Sequence, residues 1–334
     1  MAGDPVLSVD NLVTTLTIDG ETIPAVDGVS FSVGAGETLG IVGESGSGKS
    51  MTALSIMQVL PRPIGNIQSG SIRLGERELT ELDNAQMSQI RGKEIGMILQ
   101  DPHTSLNPVF SIGNQVKEAF RLNRKTPSAM DLLQQSVDVL KSVNVADAER
   151  RISAYPHQMS GGMKQRVVGA IAIAGAPKVI IADEPTTALD VTIQLQYLKL
   201  LQDIQKETGT ALIFITHDLG IVANICTSLV VMYAGQIVEA GTVEDVFTAP
   251  SHPYTQALLR SVPSVDTKVD RLYAIEGQPP ALSADRKGCR FADRCPLADA
   301  HCRENAPAEV EGKSGAPTHR VSCWKVSDDA IANP

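Results

Sequence analysis

The segment that most limits what this chain can fold into is Gly43-Glu44-Ser45-Gly46-Ser47-Gly48-Lys49-Ser50. It follows the apolar run Leu39-Gly40-Ile41-Val42 and precedes the helix-prone stretch MTALSIMQVL, so a buried strand must turn through glycines straight into a helix. The glycines let the backbone curl, and successive amides with the helix N-terminus aim partial positive charge at one point. Lys49 adds a full charge there, and the Ser50 hydroxyl is a ligand of the kind Mg2+ takes. A plain glycine-rich turn is the alternative, and it explains neither the lysine nor the flanking strand and helix. The expected ligand is a nucleotide polyphosphate, cradled by Gly43, Ser45, Gly46, Ser47, Gly48, Lys49, Ser50 and Met51.

A second feature fits the same chemistry. Val179-Ile180-Ile181-Ala182 is a short apolar run of the kind that forms a buried parallel strand, and it ends in Asp183-Glu184. Adjacent carboxylates at such a position are costly without a cation. In a phosphate-loop protein Asp183 would hold Mg2+ through water and Glu184 would act as general base on the attacking water. The alternative is a solvated strand end, which the phosphate loop upstream makes the weaker reading.

Bulk composition narrows the function classes. With 334 residues, 43% of them apolar, the chain can bury one large core and carry a smaller appendage. The formal net charge of −9 argues against a phosphate-backbone binder, so nucleic acid is not an expected partner. The first residues, MAGDPVLSVDNLV, do not read as a secretory signal, and the chain is expected to stay in the cytosol. The apolar run between Arg166 and Lys178 falls short of the roughly 20 residues that span a bilayer, so any membrane role needs partner subunits.

Along the chain, β-prone runs from Leu7 to Ile41 carry turns at Asp19-Gly20, Asp27-Gly28 and Gly34-Ala35-Gly36, which predicts an opening antiparallel sheet. A strand is expected over Thr38 to Val42. Helical stretches then alternate with β-prone runs, including Val179 to Ala182 and Ala211 to Thr216, which predicts an α/β fold with a mostly parallel sheet. Leu229 to Tyr233 is a further strand, followed by a turn at Ala234-Gly235 and a short strand at Ile237-Val238. Beyond Pro250 the composition turns to proline, scattered charge and four of the five cysteines, which places a boundary near 250–265.

Met159-Ser160-Gly161-Gly162-Met163-Lys164-Gln165-Arg166 closely resembles the signature of ABC proteins, with Met159 and Met163 where Leu and Gln are commoner. Ser160 and two glycines opening a helix form a second anion cradle. In ABC proteins that cradle closes over the γ-phosphate bound by the opposite subunit of a head-to-tail dimer. Gln100 in ILQDP resembles the Q-loop, Ala188-Leu189-Asp190 the D-loop, and His217 in FITHDL the switch histidine. A lone histidine after a strand is more often structural; five motifs in family order are not coincidence.

The resemblance goes deeper in GIVGESGSGKS, ILQDPHTSLNP, ADEPTTALDVTIQ, VMYAGQIVEAGTVEDVF and above all SHPYTQALLRSVP, which look like the oligopeptide, dipeptide and nickel importer ATPases. It implies a P-loop NTPase cassette over residues 1–250, with a helical signature part at about 100–175, and a cysteine-bearing C-terminal extension over 251–334. It implies ATP and Mg2+ as ligands, with Ser50, Gln100 and Asp183 at the metal, Glu184, Gln100 and His217 catalytic, and Ser160, Gly161, Gly162 and Asp190 at the nucleotide. It also implies a second ATPase subunit, a paralogue or a second copy, two permease subunits, an external solute-binding protein and a peripheral place on the cytoplasmic face of the inner membrane. Peptides are the leading cargo, ahead of nickel chelates, glutathione, opines and sugars. A soluble ABC ATPase acting on nucleic acid or ribosomes fits the single cassette and acidic balance poorly. An exporter would not explain SHPYTQALLRSVP, and the signature excludes a kinase or GTPase.

Relatives usually stack an aromatic ring on adenine 33 residues before the loop lysine, where this chain has Leu16. With only Leu16, Ile18 and Ile23 nearby, a relaxed preference among purines is expected. Cys226 lies in an apolar segment and reads as a buried small residue. Cys289, Cys295, Cys302 and Cys323 could hold a 4Fe–4S cluster or zinc, or simply pack as thiols. Zinc sites more often show closer pairs. The family's extension has a similar cysteine pattern, and some members hold a 4Fe–4S cluster there.

Overall fold

The structure is a computed structural model that describes residues 4–121, 128–187, 189–262, 273–281, 283 and 287–326. It resolves into two compact units, one built mainly from Leu74–Ile215 and the other from Ser8–Ser32, Thr38–Arg73 and the chain from Thr216 onward.

In the first unit the strands Ile95–Ile98, Val179–Asp183 and Ala211–Thr216 run parallel, with Ile95 opposite Val179 and Val179 opposite Ala211. Val179–Asp183 and Ala211–Thr216 are buried along their whole length, which is why they read as unbroken apolar runs and not as alternating ones. From Pro102 to Ile173 the regular elements among the described residues are all helical, the longest being Ala129–Ser142 and Gly161–Ile173. Two glycines set how closely helix Gly161–Ile173 packs. A Cβ on Gly96 would lie 2.4 Å from the Ala172 carbonyl, and one on Gly169 would lie 2.8 Å from the hydroxyl of buried Tyr197 on helix Val191–Thr208.

The second unit opens with the hairpin Leu7–Ile18 and Glu21–Val33, joined at Asp19-Gly20, whose positive φ angles of 52° and 85° suit a two-residue turn. Strand Gly65–Leu74 flanks Leu7–Ile18 on its other side. The expected turn at Asp27-Gly28 is not one. Strand Glu21–Val33 passes straight through it, and Gly28 takes φ +69° inside the strand, a conformation glycine adopts without a steric penalty.

The unit's second sheet pairs Thr38–Val42 parallel to Ser228–Tyr233, which pairs antiparallel with Gln236–Thr242. That last strand is longer than Ile237-Val238 because it pairs with Ser228–Tyr233 from Gln236 to Thr242, and the C-terminal residues extend the sheet beyond it. Arg320–Ser322 pairs with it through Glu239 and Ala240, and Glu309–Glu311 pairs with Arg320–Ser322. Tyr233, Tyr254 and Phe291 form the aromatic centre of one core cluster, against which Cys289 and Cys295 pack. Residues beyond Pro250 thus share a core and a sheet with the strands around the glycine-rich loop.

Candidate functional site

The loop between strand Thr38–Val42 and helix Lys49–Ile56 has the backbone its sequence calls for. Gly43, Gly46 and Gly48 all take positive φ, at 153°, 79° and 101°. A Cβ on Gly43 would lie 2.2 Å from the Met232 carbonyl, and one on Gly48 2.7 Å from that of Ala25, so no larger residue fits at either place. Gly46 faces open space, where only its φ demands glycine. Lys49 is 6% exposed, and its Nζ donates to the carbonyls of Gly43 (2.7 Å) and Glu44 (2.9 Å), which holds a full positive charge inside the curl. Ser47 is buried, Ser45 is exposed, and Ser50 and Met51 are half-buried on the first turn of the helix. A recess of about 180 Å3 opens beside the loop, lined by Glu44, Ser45, Gly46, Ser47, Tyr233, Ala234, Pro279 and Pro280.

In the other unit, strand Val179–Asp183 ends with Asp183 only 6% exposed, a carboxylate of the hard-oxygen type that Mg2+ takes. Glu184 follows with φ +44°, a left-handed conformation that costs a non-glycine residue roughly 1–3 kcal/mol and is concentrated at functional sites. Its amide donates to the Ile215 carbonyl at 2.9 Å, which fixes the backbone. Gln100 Nε2 donates to Glu184 Oε2 at 2.9 Å, and Thr187 Oγ1 donates to the same oxygen at 3.0 Å. Gln100 and Glu184, 84 residues apart, are therefore brought together, whereas the part played by Thr187 was not anticipated.

Ser160 and Asp190 both serve as N-caps. Ser160 accepts from the Met163 amide at 3.3 Å and opens helix Gly161–Ile173; Asp190 accepts from the Ile193 amide at 3.0 Å and opens helix Val191–Thr208. A Cβ on Gly162 would sit 2.9 Å from the Ile193 side chain, so the two helix starts lie against each other. Ala188 of the D-loop motif lies outside the described residues.

His217 is exposed at the end of strand Ala211–Thr216. Leu16 is half-buried on strand Leu7–Ile18. Thr14 on that strand hydrogen-bonds Ser55 of helix Lys49–Ile56 at 2.8 Å, which sets the strand beside the helix that the loop feeds.

Cys226, expected to be buried, is half-buried, and it stands apart from the other four cysteines. A Cβ on Gly40 would lie 3.0 Å from the Cys226 Sγ, and burial pushes this thiol up to about 12. Cys289, Cys295, Cys302 and Cys323 line one small cavity with Phe291 and Trp324. Burial raises the Cys289 and Cys295 thiols above their ordinary range and pushes Cys323 up to about 11. The thiols converge, but among the described residues no three His, Cys, Asp or Glu side chains form a group able to hold a metal ion.

Two contacts to the loop had no counterpart in the sequence reading. Tyr254, from SHPYTQALLRSVP, accepts the Glu44 amide at 2.9 Å, and Arg294 grips the Glu44 carboxylate with both terminal nitrogens.

Residues 26–187 match the ABC transporter family, and residues 238–302 match the oligopeptide/dipeptide transporter C-terminal region. The oligopeptide transport ATP-binding protein AppD of Bacillus subtilis is 47% identical, over 97% of this chain and 97% of the relative. The chain belongs to the ABC transporter ATP-binding family. Its activity is that of an ABC-type ATPase. OppD of the same organism, an oligopeptide transport ATP-binding protein, is 46% identical over 97% of this chain and 90% of its own length. Among solved structures, the dimeric ATP-binding cassette MJ0796 bound to ADP and Pi matches with a TM-score of 0.64 and 26% identity, over 71% of this chain and 98% of that one. No helix among the described residues is long and apolar enough to cross a membrane.

Proposed function

We propose that this ABC ATPase powers peptide uptake, as one of two ATPase subunits beneath two permease subunits on the cytoplasmic face of the cell membrane. One observation carries the reading: a C-terminal region of the oligopeptide/dipeptide transporter type follows the cassette in the same chain. The named functions of AppD and OppD support peptides over nickel chelates or other solutes. Copurification tests it. The chain should retain two permease subunits after mild detergent extraction, whereas recovery with ribosomes or nucleic acid and no permease would overturn it.

In this reading Lys49 and the amides of Gly46, Gly48 and Ser50 take the β- and γ-phosphates, and the Ser50 hydroxyl and Asp183 serve Mg2+, which neutralises phosphate charge. Glu184 takes the proton of the attacking water, and Gln100 and Thr187 hold its carboxylate. His217 contacts the γ-phosphate, Leu16 packs on the base, and Ser160 with Gly161, Gly162 and Asp190 complete the partner subunit's site. Residues 1–250 act as the cassette and 251–334 as its extension. The dimeric form of the MJ0796 cassette supports the paired arrangement.

Cys289, Cys295, Cys302 and Cys323 would hold a 4Fe–4S cluster, which serves structure and not redox catalysis. Their convergence on one cavity supports this, and a lone zinc, with thiolates at about 2.3 Å, would need a tighter group. Anaerobically purified protein should be brown, with absorption near roughly 400 nm and about four irons per chain. Colourless protein with stoichiometric zinc, or with neither metal, would overturn the cluster.

A further inference from the structure

The second residue of the phosphate loop is gripped at three points. The Glu44 carbonyl accepts from Lys49 Nζ, its amide donates to the Tyr254 hydroxyl, and its carboxylate takes a two-pronged ion pair from Arg294 at 2.6 and 3.0 Å. Arg294 is itself fixed. Its side chain is 4% exposed, Nε donates to the Glu276 carbonyl at 3.0 Å, and Nη1 donates to the Tyr233 hydroxyl at 3.2 Å. Tyr254 is fully buried, with its ring edge-on to Tyr233 at 4.6 Å between centroids. The same short segment supplies a second grip. Arg290 donates to the Ala234 carbonyl and pairs with Asp27, while the amide of the next residue, Gly235, donates to the Ser47 carbonyl at 2.9 Å.

We propose that Arg294, seconded by Tyr254, is a positioning residue for ATP binding: it neutralises and fixes Glu44, the one acidic side chain of the phosphate loop. The inference rests on the reading of Gly43 to Ser50 as that loop.

The chemistry is specific. A carboxylate at the mouth of a polyphosphate cradle repels the ligand's charge, and it works against the field that Lys49 and the loop amides create. A guanidinium fork cancels that charge and holds the carboxylate in one orientation, which a point-charge lysine does less well. Without Arg294, Glu44 is left as an unpaired anion beside the nucleotide, and its backbone carbonyl, which braces Lys49, loses a support. Arg294 lies one residue before Cys295, and Arg290 one residue after Cys289, so the cysteine-bearing segment delivers both grips. This gives the C-terminal extension a task in ATP binding.

The test is a double-mutant cycle on the full chain, read by ATP titration and by steady-state ATPase kinetics, with thermal melting as a fold control. Arg294→Gln is expected to raise the ATP Kd and KM about tenfold, with kcat at saturating ATP changed less than twofold. Glu44→Gln alone is expected to change them less than about threefold. The double variant should return to the Glu44→Gln value, because with no carboxylate to neutralise the arginine is no longer needed. Arg294→Lys, which keeps the charge and loses the fork, should fall between, and it serves as the second variant if the glutamine form does not fold. Tyr254→Phe should raise KM about threefold. Lys49→Ala separates the proposal from its premise. If Lys49→Ala abolishes ATP binding while Arg294→Gln keeps the parent KM, the proposal alone falls. If the two glutamine substitutions merely add, with lowered melting and no rescue, Arg294 is only a structural brace and the proposal falls. If Lys49→Ala binds ATP as the parent does, the phosphate-loop reading falls and takes the proposal with it.

Discussion

Gln100 donates its side-chain amide to Glu184 Oε2 at 2.9 Å, tying the second residue after strand Ile95–Ile98 to the residue after strand Val179–Asp183. Parallel pairing of those strands, with Ile98 opposite Ala182, sets both side chains at the same sheet end. With Thr187 donating to the same oxygen, the carboxylate is aimed, and its backbone is held in a strained conformation. An aimed carboxylate is what a general base requires.

Glu184→Gln therefore should lower kcat for ATP hydrolysis by about 10²–10⁴-fold while leaving ATP affinity near the parent value, since the phosphate loop is untouched. Single-turnover hydrolysis beside a binding titration measures both. Turnover within a few-fold of the parent would remove Glu184 from the catalytic role.

Leu16→Tyr should tighten ATP binding by about 0.5–1.5 kcal/mol and raise the preference for ATP over GTP, because a stacked ring replaces aliphatic packing on the base. The position is supported by the Thr14–Ser55 hydrogen bond, which sets this strand beside the helix that follows the loop. Competition titrations with both nucleotides decide it. An unchanged affinity would place the base elsewhere.

The glycine-rich turn from strand into helix was legible because its information is local: three glycines, a lysine and the flanking strand and helix lie within one short stretch. The Asp183-Glu184 pair was legible for the same reason, from an apolar run that ends in two acids. Where partners are distant in sequence, nothing local marks them. Arg294 and Glu44 are 250 residues apart, and neither carries a pattern that names the other. The strand Arg320–Ser322 was missed because three residues at a sheet edge show no periodicity. Asp27-Gly28 misled because glycine permits a positive φ within a strand as readily as in a turn. The four cysteines were expected to come together and do, but spacing alone does not fix how closely their sulfurs approach.

His252 gives the fold a pH dependence. It is buried, its Nδ1 accepts from the Tyr254 amide at 3.0 Å, and burial pushes its pKa down to about 4, outweighing nearby Glu239, which acts to raise it. The unfolded chain, with an ordinary value of about 6.5, binds the proton more readily, so stability rises with pH between about 4 and 6.5. Acidification from pH 7 should cost roughly 3 kcal/mol by pH 4 from this group, and His252→Asn, which can still cap the helix, should flatten that part of the profile. Denaturant melts across pH 4–7 measure it. Identical pH profiles for the two proteins would contradict the assignment.

The most direct test of the whole account is peptide uptake into vesicles that contain the complete transporter and its solute-binding protein, with ATP on the side of this subunit. With the parent chain, labelled peptide should accumulate only when ATP is present and hydrolysed. With Lys49→Ala, hydrolysis and uptake should fall together by at least about tenfold, because the charge at the centre of the phosphate loop is gone. Peptide accumulation at the parent rate with the Lys49→Ala subunit, or without ATP, would contradict the claim that this chain powers the transport.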